Sequence, residues 1–443
     1  MSTSKTNRRT FVKQGVLGTA GVMLSMNASA YSRILGANDR LRFAVVGLNG
    51  RGKALMAAIQ TVPNAEITYL CDVDSKVLEG AKQMMLKAGY SAPTLEKDYR
   101  KLMEKKDLDV VAIASPDHWH APMALMAVQA GKDVYVEKPC CHNPAEGEML
   151  VEAMGKYGKL IQMGNQQRSG MASQEAIRDI REGLIGEVYH GKAWYANTRG
   201  SIGKGKVVAV PDHLDWDLWQ GPAPRSDYKD NYVHYNWHWF EHWGTGEINN
   251  NGTHEIDICR WALGVEFPEK VNSSGGRYHF DDDWEFYDTQ IANFEFGGGK
   301  MITWEGRSCN GQLFFDRGRG VTIHGTEGTI LLDRNYYIAY NNKREQIKWV
   351  KEGVASATTD TLGRGGLDDL HMNNLVNGIR NGEALRSPID DGYKSNLLCH
   401  LGNISQKTGR TLNINPKNGR ILNDADAMSM WSREYEHGWE MKV

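Results

Sequence analysis

The chain has 443 residues, 24% of them charged and 41% hydrophobic, with a net charge of −2. That is more than one core usually accommodates, so two domains are expected, and the near-balanced charge gives no reason to expect a nucleic-acid or anionic-membrane partner. The six cysteines, at 71, 140, 141, 259, 309 and 399, show no metal-type spacing, and neither a metal site nor a structural disulfide is expected.

Asn7-Arg8-Arg9-Thr10-Phe11-Val12-Lys13 is a twin-arginine pattern, followed by an apolar run from Gly15 to Met26 and a small-residue site, Ala28-Ser29-Ala30. The run is too short to span a bilayer, so residues 1–30 read as a cleavable signal, and a periplasmic or otherwise exported protein is expected. Without the signal's Lys5, Arg8, Arg9 and Lys13 the net charge falls from −2 to −6. Twin-arginine export carries folded proteins, so any cofactor would be loaded before export and regenerated in place. No later segment is long and apolar enough to insert stably in a membrane.

Residues 41–52 read as a buried strand breaking into glycines ahead of a helical pattern, Lys53 to Thr61. Such a turn lets backbone approach a pyrophosphate while the next helix points its N-terminus at the phosphates. Gly47 and Gly52 take the first and third places of G-x-G-x-x-G. Asn49 takes the second, where left-handed backbone is expected of it. A glycine-rich surface turn is the alternative reading. The next strand, 66–71, ends at Asp72, twenty positions beyond Gly52, where such folds place the acid that accepts ribose hydroxyls; a carboxylate there favours NAD over NADP.

A helix from Ser75 to Ala88 and strands at 109–114 and 133–136 continue the alternation, which predicts a parallel sheet covered by helices on both faces, over residues 39–165. The loop Ser115-Pro116-Asp117-His118-Trp119-His120 would emerge at the sheet's carboxyl edge. The next strand runs into Glu137-Lys138-Pro139. A lysine partly buried at a strand's exit into a cleft suits proton transfer; an ordinary surface lysine before a proline turn is the alternative.

The glycine turn, Asp72, Ser115-Pro116 with His120, and above all Glu137-Lys138-Pro139 resemble the glucose-fructose oxidoreductase / inositol dehydrogenase / rhizopine-catabolism (Gfo/Idh/MocA) family, over most of the chain. The resemblance implies a Rossmann-type first domain holding NAD, with Lys138 beside the nicotinamide and the reacting hydroxyl. It implies cofactor contacts from Gly50, Arg51, Asp72, the loop 115–120, Glu137, and Asn165 after the strand 160–163.

Residues 166–443 read as an α+β domain. A helix, Gln174 to Glu182, precedes strand patterns at 188–196, 271–280, 289–296, 301–307, 321–324 and 329–332, which predict a large open, mainly antiparallel sheet. In the family, that sheet covers the substrate side of the cleft and its outer face makes dimers or tetramers, so a homodimer or homotetramer is expected. Between its first strand and the rest, residues 197–243 hold Trp216, Trp219, Tyr232, Tyr235, Trp237, Trp239, Phe240 and Trp243. Two uses are open: a satellite core, or stacking on a sugar, with Arg168, Asn236 and His238 bonding hydroxyls.

The stretch from Gly244 to Asp257 resembles the family's pattern around its catalytic histidine, implying that role for His254, with Asp257 one helical turn later able to reach the imidazole. Asn250 stands where the family has an aspartate; it can hold a hydroxyl but not take its proton, which leaves proton handling to Lys138 and His254, with Glu247 as a further candidate. Residues 353–366 suggest a loop near the cleft, and helices at 371–380 and 393–407 suggest a brace between the domains.

The first functional reading is oxidoreduction of a sugar, polyol or glycoside hydroxyl by tightly held NAD, with C3 of a glycoside as a candidate position. The second is NAD-dependent glycoside cleavage through transient C3 oxidation and elimination, with His254 or a tyrosine such as Tyr195 as base. The third is a sugar-binding protein that keeps NAD only for stability.

Overall fold

Six short strands, β1 (Leu41–Val46), β2 (Ala65–Cys71), β3 (Thr94–Glu96), β4 (Val110–Ile113), β5 (Asp133–Val136) and β6 (Ile161–Met163), pair in parallel in the order β3-β2-β1-β4-β5-β6. Their continuous apolar runs follow from burial on both faces: every residue of β4 is fully buried. The computed structural model describes residues 40–354 and 365–443. Arg42–Val443 form one compact unit, and of the segment before it only Arg40 and Leu41 are described. The expected export signal and residues 355–364 of the expected loop thus lie outside the described residues.

Helices α1 (Arg51–Ile59), α2 (Ser75–Lys87), α3 (Asp117–Gln129) and α4 (Pro144–Tyr157) alternate with these strands. Asp74 caps α2, its carboxylate accepting the N–H groups of Lys76 and Val77. Beyond α5 (Met171–Arg181), the second sheet is built from β7 (Val188–Ala196), β8 (Lys270–Gly276), β9 (Thr289–Phe296), β10 (Lys300–Arg307), β11 (Arg319–Gly325), β12 (Gly328–Leu332), β13 (Tyr336–Asn341), β14 (Gln346–Lys351) and β15 (Leu412–Asn413). Their order is β14-β13-β12-β11-β7-β10-β9-β8-β15, antiparallel throughout except for the pair β7–β10.

One face of this sheet packs on α6 (Thr253–Leu263) and α8 (Ile389–Thr408), with α7 (Gly366–Asn381) beside the first domain. On β9, Gln290, Ala292, Phe294 and Phe296 are buried in alternation, the period-two signature of a half-covered strand. The expected strand 271–280 stops at Gly276 because the Asp288 carboxylate takes the N–H groups of Tyr278 and His279. Strands β13 and β14 escape the sequence reading, since the polar run Asn341 to Gln346 that joins them breaks up their alternation.

Arg168, expected to bond substrate hydroxyls, is instead a structural cation. Its Nε and Nη2 donate to the two oxygens of Asp257 at 2.7 Å each, and it also pairs with Asp391. Arg260 joins the cluster through Asp391 at 2.5 Å, and Ser395 Oγ donates to Asp257 at 2.6 Å. Asp257 therefore does not serve His254, as the one-turn spacing suggests: a planar guanidinium takes both carboxylate oxygens at once, which an imidazole cannot match.

Burial alone would raise the Asp391 carboxyl, but Arg260 and Arg168 outweigh it and hold it down at about 2. A carboxyl depressed in the folded state contributes stability above its unfolded value and loses it as pH falls through the folded one. Thermal stability should accordingly decline between about pH 4 and pH 2, and Asp391→Asn, measured by the same melts, should flatten that decline. Asp257→Ala, which strips the buried Arg168 of its bidentate partner, should cost about 3–5 kcal/mol in denaturant unfolding.

Candidate active site

The glycine turn is shaped for close approach. Gly47 leaves β1 at φ +77°, and a Cβ there would lie 2.6 Å from the Ala114 carbonyl oxygen; one on Gly52 would lie 1.9 Å from the Gly47 oxygen. Gly50 carries the other positive φ, +39°, and Asn49 does not adopt left-handed backbone, so the reversal expected of Asn49 falls to its glycine neighbour. No side chain caps α1; Gly52 N donates to the Asn49 carbonyl at 3.1 Å and Lys53 N to the Gly50 carbonyl at 3.2 Å, which leaves the N–H of Arg51, at the helix's first position, for an anion. At the end of β2, Asp72 accepts the N–H of Leu48 at 2.7 Å and of Asp74 at 2.9 Å. Burial raises its carboxyl above the ordinary range.

From this turn a cavity of about 390 Å³ runs along the carboxyl edge of the parallel sheet, past Ser115, Pro116, Asp117, Trp119 and His120, to Glu137, Lys138 and Asn250. It lies where β1 and β4 diverge in strand order, the place where open parallel sheets bind ligands. An uncapped helix end, glycines that a Cβ would obstruct, and an acid twenty residues on together fit a dinucleotide.

The aromatic stretch roofs the cavity. Ser75 N donates to the His213 carbonyl at 2.8 Å, Asp215 N to the Val73 carbonyl at 3.0 Å, and Lys97 pairs with Asp215 at 2.6 Å. His213 and His234 both reach Asp74 Oδ2, at 3.1 and 3.0 Å. The His118 ring and the Trp119 indole meet the Trp219 carbonyl at 3.0 and 2.9 Å, while His120 lies between the carbonyls of Pro139 and Ser115 at 2.6 and 2.7 Å. Both open readings of the aromatics hold, for different residues. Trp216, Tyr232, Phe240 and Trp243 form a buried core with Trp219, which also reaches the cavity wall, whereas Tyr235, Trp237 and His238 line the cavity, Trp237 stacked on His238 at 3.6 Å. Asn236 does not face the cavity; its amide donates to the Asn231 carbonyl at 2.9 Å.

At the far end, Lys138 Nζ donates to the backbone oxygen of Asn250 at 2.6 Å and to its Oδ1 at 3.1 Å. Burial lowers this amine to about 8, against the opposing pull of Glu137 and Asp117. Glu137 receives Arg51 Nε at 2.7 Å and Gln166 Nε2 at 3.0 Å, and Arg51 pairs also with Asp368. Thr245 donates to Asp117, whose carboxyl burial lifts to about 7.

Asn250 sits in a wide i→i+5 turn, Ile248–Gly252, that leads into α6. Glu247 is set behind this turn and outside the cavity wall: Arg199 and Ser308 each donate to it at 2.8 Å and Asn251 at 2.5 Å. Burial would raise Glu247, but Arg199 and these bonds hold it below the usual value, which makes it an anchor for the turn rather than a base. Tyr195 belongs to the same network, its hydroxyl taking Asn197 at 2.7 Å and Arg199 at 3.2 Å, and burial raises it well out of reach of deprotonation.

His254 is 1% exposed, with neither ring nitrogen hydrogen-bonded, and it is not in the wall of this cavity. Burial, then Arg334, Arg319, Lys138 and Arg51, keep it neutral. Asn165 is likewise 1% exposed with an unpaired amide. Sequence reading misses His234 and Lys97-Asp98 in the wall. The latter pair follows β3, whose three residues are too few to show a periodicity; nothing local signals His234.

Two family models match this chain: an oxidoreductase family with an NAD-binding Rossmann fold over residues 41–165, and that family's C-terminal alpha/beta domain over residues 198–414. A glycosyl hydrolase family 109 protein of Parabacteroides distasonis is 25% identical, over 91% of this chain and 95% of its own. An alpha-N-acetylgalactosaminidase of Tannerella forsythia is 24% identical over 91% and 94%. Among solved structures, a levoglucosan dehydrogenase in complex with NADH and levoglucosan superposes with a TM-score of 0.65 at 18% identity, over 84% of this chain and 99% of its own.

Gly52→Val would drive side-chain atoms into the Gly47 carbonyl and block the phosphate approach. Nucleotide binding, measured by equilibrium titration with NAD, should weaken at least tenfold while far-ultraviolet circular dichroism is unchanged.

Proposed function

The chain belongs to the Gfo/Idh/MocA oxidoreductase family, and from that premise we propose that it keeps NAD in the roofed cleft and oxidises a hydroxyl of a sugar, polyol or glycoside. The observation that carries this reading is Lys138: a buried amine lining the cleft, with a value near neutrality and no carboxylate in contact. Glycines 47, 50 and 52, the open end of α1, Asp72 and the loop 115–120 would hold the cofactor. When bound, NAD supplies a two-electron acceptor for the carbon-bound hydrogen of the alcohol.

The protein's own groups manage the proton. Asn250 occupies two of the three substituent positions on Lys138 Nζ, which leaves one to face a hydroxyl. In its neutral form the amine accepts the alcohol's proton, and neutral His254 is the second candidate acceptor. Tyr235, Trp237 and His238 offer ring faces and a polar edge to a pyranose.

A second reading is favoured by the two glycosidase relatives that align over nearly the whole chain. In it the same oxidation acidifies the neighbouring C–H, the glycosidic group leaves by elimination, water adds, and the hydroxyl is restored with no net oxidation. The export signal belongs to the proposal too: outside the cytoplasm a fixed cofactor must be regenerated on the protein, by a second carbonyl compound in the first reading and by the closing step in the second. Association into dimers or tetramers through the large sheet is part of the same reading.

Protein incubated with aryl glycosides and free sugars, without added NAD, separates the readings: lasting absorbance in the NADH band supports the dehydrogenase, free aglycone without it supports the glycosidase, and neither signal with any sugar overturns both. Lys138→Met should lower turnover at least 10³-fold with the nucleotide still bound. Because Lys138 acts as a neutral amine, wild-type oxidation should rise with pH and level off above about pH 8, and this limb should vanish in the variant.

A further inference from the structure

Outside the wall of that cavity, several buried polar atoms have no hydrogen-bond partner among the described residues. His254 offers two such ring nitrogens, Asn165 both atoms of its amide, and Arg334 its Nε. Arg334 stands in the turn from β12 to β13, and the turn touches the Asn165 segment, where Gln167 Nε2 donates to the carbonyl of Asp333 at 3.3 Å. One strand over, Arg319 on β11 pairs through Nε with Glu255, the residue after His254, at 2.7 Å, and lies near Asn251 at 3.4 Å.

Four cations, Arg334, Arg319, Lys138 and Arg51, act together on His254. The carboxylates among them are committed: Glu137 and Asp368 to Arg51, and Glu255 to Arg319. The Lys138 amine hydrogen-bonds only to the neutral Asn250, though Glu137 and Asp117 act on it from farther off, and Arg334 forms no hydrogen bond or ion pair among the described residues. Burial and Arg319 lower the guanidinium to about 9, so it remains charged at neutral pH. A guanidinium with its Nε buried and unpaired is unfavourable, and its planar fork is matched in geometry by a two-oxygen anion.

Resting on the oxidoreduction reading, we propose that the substrate is an acidic carbohydrate whose carboxylate, sulfate or phosphate group pairs with Arg334 while its reacting hydroxyl meets Lys138 and His254. The cofactor's own phosphates are not this anion. Their place is the open end of α1 at the glycine turn, whereas Arg334 comes from the large sheet and is absent from that cavity's wall. A neutral hydroxyl would satisfy His254 and Asn165 but leave Arg334 without an anion bonded to it.

The test is equilibrium binding at constant ionic strength to the NAD-loaded protein, comparing glucuronate, galacturonate, glucose 6-sulfate and glucose 6-phosphate with glucose and galactose. At least one acidic sugar should bind tenfold or more tightly than its neutral counterpart, and which one does so names the anionic group. Arg334→Leu should abolish the preference, and Arg334→Lys should keep part of it, with nucleotide content and melting temperature unchanged in both. Equal affinity for acidic and neutral sugars, a preference that survives Arg334→Leu, or loss of nucleotide from both variants would overturn the proposal. Binding is read without turnover, so an acidic sugar that binds through Arg334 but is neither oxidised nor cleaved sinks the oxidoreduction reading alone.

Discussion

The clasp between Lys138 Nζ and the two oxygens of Asn250 joins residues 112 positions apart and ties the Lys138 end of the cleft to the large-sheet domain. An ammonium placed there meets amide oxygens rather than a carboxylate, so burial outweighs the attraction of the nearby acids and the amine becomes neutral at mildly alkaline pH. Had Asn250 been an aspartate, the same clasp would hold a charged pair and the lysine would keep its proton more firmly. With an amide at position 250, burial decides the protonation of Lys138 against the pull of Glu137 and Asp117.

This arrangement depends on the turn that delivers Asn250. The wide turn at Ile248–Gly252 is pinned from behind by Glu247 with Arg199, Asn251 and Ser308, and from the helix side by Asn396, which donates to Asn249 at 2.6 Å. Wide helical turns of this kind recur at functional sites because they push one residue out of the regular register. Several polar residues that look catalytic or substrate-binding in the sequence are thus held in structural networks. Glu247, Tyr195 and Arg168 each end in an ion pair or bond that fixes something else.

The roof has a comparable division of labour. Residues 213–219 and 234–243 dock on the first domain through backbone hydrogen bonds and through the two histidines on Asp74, and a core of stacked rings stiffens them. The cover thus closes the cavity on the side away from the parallel sheet. The same cover presents Tyr235, Trp237 and His238 to the space beyond.

Much of the first domain was legible in the sequence because parallel strands buried on both faces leave unbroken apolar runs, and because Gly47, Gly52, Asp72 and Lys138 fall at strand ends, where geometry allows few alternatives. Legibility failed where partners come from afar. Arg168 and Asp257 each have plausible local roles, yet they choose one another across 89 positions; Asn49 looked like the reversing residue until Gly50 took the positive φ. His234 and Arg334 carry no local signal at all, since what makes them notable is the charge of residues that only the fold brings near.

The proposed chemistry needs a nicotinamide dinucleotide lying in the roofed cleft. Protein isolated without added nucleotide should, on denaturation, release close to one equivalent of NAD or NADH per chain, identified by mass. A chain that releases none, and that takes up none from millimolar NAD, would contradict it.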